Sequence, residues 1–260
     1  MLKDEYGATQ WKDMDDLFKN QSKLKLYDEL GILVAQKEFI EEYRNVIAEK
    51  DSLKSKVDEY NLPILIVEGK TDKWILERAW AMLNPTETIS FDIYPSGLYI
   101  DVEESEGNAN QVRRAIELIS PMIDEQKSII GLFDNDREGN EQFKGLSAKI
   151  FERHNLSSIS RKHKTKSIFG LLLPVPSHRE NFVGNKLLQR FLEIEHYFDD
   201  VALNQYGIKG DKVAPDSSVF NIKGSNKTTF ANTNINDLAE DKFIHFKLLF
   251  EKISELIAGA

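Results

Sequence analysis

Three short apolar runs, Ile64–Val67 (ILIV), residues 128–133 (SIIGLF) and residues 167–175 (SIFGLLLPV), constrain the fold of this chain more than any other feature. Each is continuous rather than alternating, the pattern of a strand covered on both faces. Segments of helical periodicity lie between them. Thr71 or Asp72 can cap a helix that runs through Trp74, Ile75, Ala79 and Met82 and stops at Asn84-Pro85. A further strand fits residues 88–94. A second helix fits residues 108–124, with Val112, Ile116 and Ile119 on one face, and a third fits residues 138–153. Strands and helices alternating at roughly 30–35-residue intervals build βαβ units. The expected class is therefore α/β, a mostly parallel sheet flanked by helices. Ligands of such sheets bind beyond the carboxyl ends of the strands.

On either side of this core the pattern is helical. Residues 15–60 contain no glycine or proline apart from Gly31, and Leu26, Leu30, Leu33, Phe39, Ile40, Tyr43 and Ile47 recur at helical spacing. Such a stripe either packs on its own domain or meets a partner. Near the other end, Phe243, Phe246, Phe250, Ile253 and Ile257 mark a second amphipathic helix. The expected organisation is a helical N-terminal extension over residues 1–60, a catalytic core over residues 61–176 and an α-rich C-terminal extension over residues 177–260 that completes the site.

Charge and composition limit the chemistry. The chain has no cysteine, so a metal must be held by oxygen or imidazole. None of the five histidines (His154, His163, His178, His196, His245) pairs at ligand spacing, which argues against zinc. The net charge of −9 argues against a protein that coats nucleic acid with its whole surface. From Arg161 to Arg190, however, seven basic residues stand against the single acid Glu180, a local charge of +6. No apolar run approaches the ~20 residues of a membrane span. The N-terminal residues show no apolar signal region either, so a soluble, cytoplasmic protein is expected.

The two strand ends of most interest carry Glu68-Gly69-Lys70-Thr71-Asp72 and Asp134-Asn135-Asp136-Arg137-Glu138-Gly139. Residues i and i+2 of an extended segment point to the same side, so Asp134 and Asp136 are expected to project together. Such residues also serve as ordinary turn residues and caps. Several carboxylates at one sheet edge repel each other unless a divalent cation neutralises them, and oxygen ligands suit Mg²⁺ or Mn²⁺. The whole order is apolar strand, Glu-Gly, helix, strand, helix, apolar strand, Asp-x-Asp-x-x-Gly, with 66 residues from Glu68 to Asp134. It resembles the Toprim domain of primases, topoisomerases and the overcoming-lysogenization-defect (OLD) nucleases, over about residues 62–175. The resemblance implies that Glu68 is a metal ligand or proton-transfer group and that Asp134 and Asp136 bind Mg²⁺. It adds Asp72, which matches a further acid in the first motif of OLD-type nucleases. Glu138 fits either an additional or water-mediated ligand or a first-turn helix acid. Gly69 and Gly139 fit turns that approach phosphate closely, or plain turns.

The same resemblance implies one more acid after the last core strand, with Glu195 the candidate and Glu193 the second choice; both also read as solvated helix acids. Lys227 matches a lysine that stabilises developing phosphorane charge, or is a surface lysine. Arg161, Lys162, Lys164, Lys166 and Arg179 are candidate phosphate contacts, with a solvated loop as the ordinary alternative for such a run. The expectation is a Mg²⁺- or Mn²⁺-dependent Toprim nuclease that hydrolyses DNA or RNA, tRNA included, and that acts as an effector of bacterial antiphage defence. No Gly-x-x-x-x-Gly-Lys-Ser/Thr loop is present, so an ATPase partner would lie on another chain. The alternative is a non-catalytic Toprim module for nucleic-acid binding or assembly. Topoisomerases need strand-passage domains and primases a template-binding module, neither of which is visible. Receiver domains place their paired acids after the first strand, a different order.

Overall fold

The computed structural model describes Leu2–Lys3, Thr9–Gln10 and residues 31–59, 61–96, 107–123, 127–154 and 158–259. Contacts within the chain divide it into two units, Met1–Asp51 and Ser52–Ala260. In the first, Leu2–Lys3 pairs antiparallel with Thr9–Gln10. Gly31, at φ 70°, leads into helix α1, Ile32–Glu59, which is uninterrupted for 28 residues, about 42 Å. Phe39, Ile40, Tyr43 and Ile47 of the expected stripe are exposed. Helix expected over residues 15–30, with Leu26 and Leu30, lies outside the described residues, as does the side chain of Leu33.

The second unit is built on six strands, β1 (Ile64–Val67), β2 (Asp92–Pro95), β3 (Ile129–Phe133), β4 (Phe151–Arg153), β5 (Ser160–His163) and β6 (Ile168–Leu172). Its helices are α2 (Lys70–Leu83), α3 (Ala109–Ile119), α4 (Arg137–Gly145), α5 (Asp200–Gln205), α6 (Gly224–Asn232) and α7 (Phe246–Ala258). The strands lie in the order β2-β1-β3-β6-β5-β4. The first four of these are parallel, while β5 and β4 add antiparallel to β6. This is the expected α/β class. Every residue of β1, β3 and β6 is buried, which explains why those runs do not alternate.

Successive residues of β1 serve opposite layers. Ile64 and Ile66 join Val112, Ile116 and Ile119 of α3 and Phe143 of α4, whereas Leu65 and Val67 join Ile75 and Leu76 of α2 and Phe246 and Leu249 of α7. Each such fully buried aliphatic side chain contributes roughly 1.5–3 kcal/mol relative to exposure. Tyr197, Phe198 and Phe243 belong to the same cluster as Leu65 and Val67. Residues after 177 thus share the core of the sheet.

The topology explains where a site can form. From β1 the chain passes through α2 on one face to β2, then through α3 on the opposite face to β3, which lies on the other side of β1. Strand order reverses at β1, and the crevice beyond the carboxyl ends of β1 and β3 is the place such sheets offer to a ligand.

Four local expectations are corrected. The third helix ends at Gly145 rather than near residue 153: Leu146 turns to ψ 125°, and Phe151, 1% exposed, enters strand β4. Gly145 and Ser147 are weak helix formers, and pairing β4 with β5 buries an aromatic ring that a longer helix would leave outside. Arg161, Lys162 and His163 belong to β5 rather than to a loop. Gly69, not Thr71 or Asp72, occupies the N-cap of α2, and Asp72 Oδ2 accepts from the Gly69 N–H at 3.0 Å. The second helix ends at Ile119 rather than near residue 124: Ser120 is its C-cap, and Lys166 Nζ donates to the Ser120 and Ile123 carbonyls. Most of the loop before that helix, residues 97–106, lies outside the described residues. Among the described residues no helix is long and apolar enough to cross a membrane.

Candidate functional site

Glu68 leaves β1 and Asp134 leaves β3, adjacent parallel strands, so both arrive at the same crevice. Glu68 Oε1 accepts from the Asp134 N–H at 3.3 Å. Asp136 is the N-cap of α4, its Oδ1 accepting from the Gly139 N–H at 2.7 Å. A Cβ on Gly139 would fall far inside contact distance of the Asp134 carbonyl oxygen. Glycine is needed there for close backbone packing within the motif, not for a positive φ. At Gly69 φ is −141° and the nearest atom to an added Cβ lies at 3.8 Å. Gly139→Ala is therefore expected to cost about 1–3 kcal/mol, and Gly69→Ala within about 0.5 kcal/mol of nothing. Urea denaturation of the two variants checks this; equal losses would refute the packing account.

The remaining acids come from distant segments. Phe191 and Leu192 pair antiparallel with Asp136 and Asn135, which carries the following Glu193 and Glu195 to the crevice. Glu195 is 1% exposed. Lys227, on α6, reaches both, with Nζ 2.6 Å from Glu193 Oε2 and 3.2 Å from Glu195 Oε1. The second contact has ion-pair distance without hydrogen-bond alignment, so neither Glu195 oxygen has a hydrogen-bond partner.

Below the acids lies a polar scaffold that sequence reasoning missed. Asn135 and Asn140 are buried; Asn140 Nδ2 donates to Asn135 Oδ1 (2.9 Å) and to the Asp136 carbonyl (2.7 Å). Asn135 Nδ2 donates to the Leu173 carbonyl, and Arg190 Nη1 donates to both asparagine Oδ1 atoms, at 3.1 and 2.7 Å. Asn135 and Asn140 are adjacent to the acid motif in sequence, but nothing in the sequence marks Arg190 as their partner.

Glu68, Asp72, Asp134, Asp136, Glu193 and Glu195 thus gather with one lysine, and the protonation of the first five is perturbed. Burial, then the Asp72 charge, pushes Glu68 up to about 8. Burial and Glu195 push Asp72 up to about 6, against the Gly69 hydrogen bond. Burial and Glu195 raise Glu193 to about 7, opposed by Lys227. Asp134 is held well above the usual carboxylate range by burial and by Glu68, Asp72, Asp136 and Glu193. Burial also raises Asp136, partly offset by the Gly139 N–H. Burial works against the Lys227 ammonium, but the charges of Glu195, Glu193 and Asp134 outweigh it and keep the group protonated. Glu138 is exposed in the first turn of α4, where its charge also raises Glu68.

No family model, curated protein or solved structure matches this chain. What the crevice can hold follows from its donors. All are oxygens carrying more negative charge than one lysine balances, a donor set that fits a hard divalent cation such as Mg²⁺ or Mn²⁺. Among the described residues no three His, Asp or Glu side chains close on a single point. The donor chemistry fits; the side chains would have to turn inward to complete a coordination sphere.

The five basic candidates have structural partners. Arg161 donates to the carbonyls of Phe143, Lys144, Leu146 and Phe151. Lys164 donates to those of Ala148 and Lys149, and Lys162 to that of Gly259 while lying over the Phe169 ring. Lys166 Nζ holds the Ser120 and Ile123 carbonyls at 2.6 and 2.7 Å, closing the end of α3. Arg179 departs furthest from a surface contact. It is 5% exposed, donates to the carbonyls of His196 and Phe198, and pairs with Asp200 at 2.6 Å.

Proposed function

We propose that this protein is a metal-dependent phosphodiesterase of the Toprim type, a nuclease that acts on DNA or RNA. The observation that carries the reading is the gathering of six mutually interacting carboxylates from separate chain segments, with Lys227 among them, at the carboxyl ends of β1 and β3. Glu68, Asp134 and Asp136 would hold Mg²⁺ or Mn²⁺, with Asp72 and Glu195 beside them. A bound divalent cation supplies charge neutralisation at a phosphoryl oxygen and lowers the pKa of a bound water. Lys227 presents a positive charge that favours the added negative charge of the phosphoryl transition state. Ion pairs with Glu193 and with the buried Glu195 fix that ammonium in place. Asn135, Asn140 and Arg190 hold the backbone between the two aspartates rigid. By resemblance to stand-alone Toprim nucleases, the proposal extends to an effector of antiphage defence working with an ATPase on another chain.

The test is to incubate the purified full chain with plasmid, single-stranded DNA, tRNA and total RNA in Mg²⁺ or Mn²⁺. Cleavage is expected with metal and none with EDTA, and Asp136→Asn should lower the rate at least ~100-fold. Asparagine keeps the oxygen that caps α4, so that loss is not one of folding. Binding without cleavage on every substrate overturns the reading.

A further inference from the structure

A cavity of about 320 Å³ borders the asparagine scaffold under the acids, lined by Asn140, Lys144, Arg153, Ser160, Arg161 and Arg190 among others. Among the described residues no carboxylate lines it. Four cations with no acid among them form a local charge contrast in a chain of net charge −9. Arg153 and Arg161 stand directly opposite each other across β4 and β5. A like-charge pair in that position is destabilising by itself. Burial, then the Arg153 charge, lowers the pKa of Arg161.

Two of the cations are fixed before any ligand arrives. Arg161 is anchored on the carbonyls of Phe143, Leu146 and Phe151. Arg190 is anchored on Asn135 and Asn140 through Nη1, while its Nε is buried without a hydrogen-bond partner. Arg161 uses Nη1 on carbonyls and contributes a fixed positive charge, while Arg190 keeps its Nε unpartnered. With the exposed Lys144 and Arg153 and a serine hydroxyl they suit the several acceptors of a phosphate group. Two fixed partners also reduce the ordering cost of binding. Asn140, which lines the cavity, also donates through Nδ2 to the backbone carbonyl of Asp136, so one side chain joins the cavity to the acid motif.

We propose that this cavity binds a phosphate group of the nucleic-acid strand, next to the bond that the acid cluster cleaves. The phosphate chemistry rests on the cavity alone, and its assignment to a substrate strand rests on the nuclease reading above.

The test uses the full-length protein in EDTA, so that it does not depend on cleavage. Inorganic phosphate and a short single-stranded oligonucleotide are titrated against wild type and against the double variant Lys144→Gln, Arg153→Gln. Both side chains are exposed, and unchanged thermal unfolding would show that the variant keeps its fold. The expected result is about tenfold weaker binding of both probes. The slope of log K against log salt for the oligonucleotide should also fall by about 1 per lost contact. Unchanged binding of both probes overturns the proposal. Weakened phosphate binding with unchanged oligonucleotide binding overturns the strand assignment and makes the cavity a site for a free phosphate compound. The nuclease reading fails separately, by absence of cleavage with metal present.

Discussion

Raising the pH of the metal-free protein from about 4.5 to about 8 should lower its stability by a few kcal/mol, and Mg²⁺ should restore much of it. A carboxyl whose folded pKa is raised keeps its proton in the folded state after the unfolded chain has released it. Below the unfolded value both states are protonated and nothing is lost. Between the two values each step up in pH favours the unfolded state, and the loss is complete above the folded value. For Glu68 that window runs from 4.5 to about 8, for Glu193 from 4.5 to about 7, and for Asp72 from 3.8 to about 6. A cation that binds only the folded protein stabilises it by about 2.7 kcal/mol at a hundred times its dissociation constant. Urea unfolding across this pH range, with EDTA or Mg²⁺, measures both effects. Asp134→Asn sharpens the test, because the charges that push Asp134 up most are those of the acids Glu68, Asp72, Asp136 and Glu193. Removing its charge should stabilise the metal-free protein at high pH by about 1–3 kcal/mol, while the Mg²⁺ response and the cleavage are lost. Stability that is flat over the window, or indifferent to Mg²⁺, would rule out the cation site.

Lys227→Met should have the largest effect on the fold. Lys227 is paired with both Glu193 and the buried Glu195, whose oxygens have no hydrogen-bond partners. Methionine keeps the apolar stem and removes the charge, leaving a buried carboxylate uncompensated, which costs about 3–5 kcal/mol. The loss should shrink as the pH falls below about 7, where the Glu193 carboxyl takes up a proton. Cleavage should fall by roughly 10²–10³ while Mg²⁺ binding persists or tightens, since a repelling charge has gone. Thermal unfolding, a metal titration and the cleavage assay separate these effects. Cleavage equal to wild type would remove Lys227 from the catalytic set, and unchanged stability would remove it from the structural one.

The strands were legible because burial on both faces leaves a local mark. Ile64–Val67 has four apolar residues in a row, and Val112, Ile116 and Ile119 recur at helical spacing on a helix that ends at Ile119. The segment after Gly145 was not legible, because Phe151-Glu152-Arg153 fits a helix as well as a strand until β5 is there to pair with it. The basic run shows the same limit. Lys166 and Arg161 look like free surface charges in sequence, whereas their partners are backbone carbonyls, which every residue has and no sequence pattern marks.

The sequence by itself determined the α/β class and the position of Glu68, Asp134 and Asp136, because an acid that directly follows a buried strand must emerge at that strand's end. Only the tertiary structure decided what surrounds them. Glu193 and Glu195 reach the crevice because Phe191 and Leu192 pair with Asp136 and Asn135, and Lys227 and Arg190 arrive from segments far away along the chain. Those contacts depend on how distant segments pack, and each shifts the charge of the site through distances of a few ångströms that residue order does not encode.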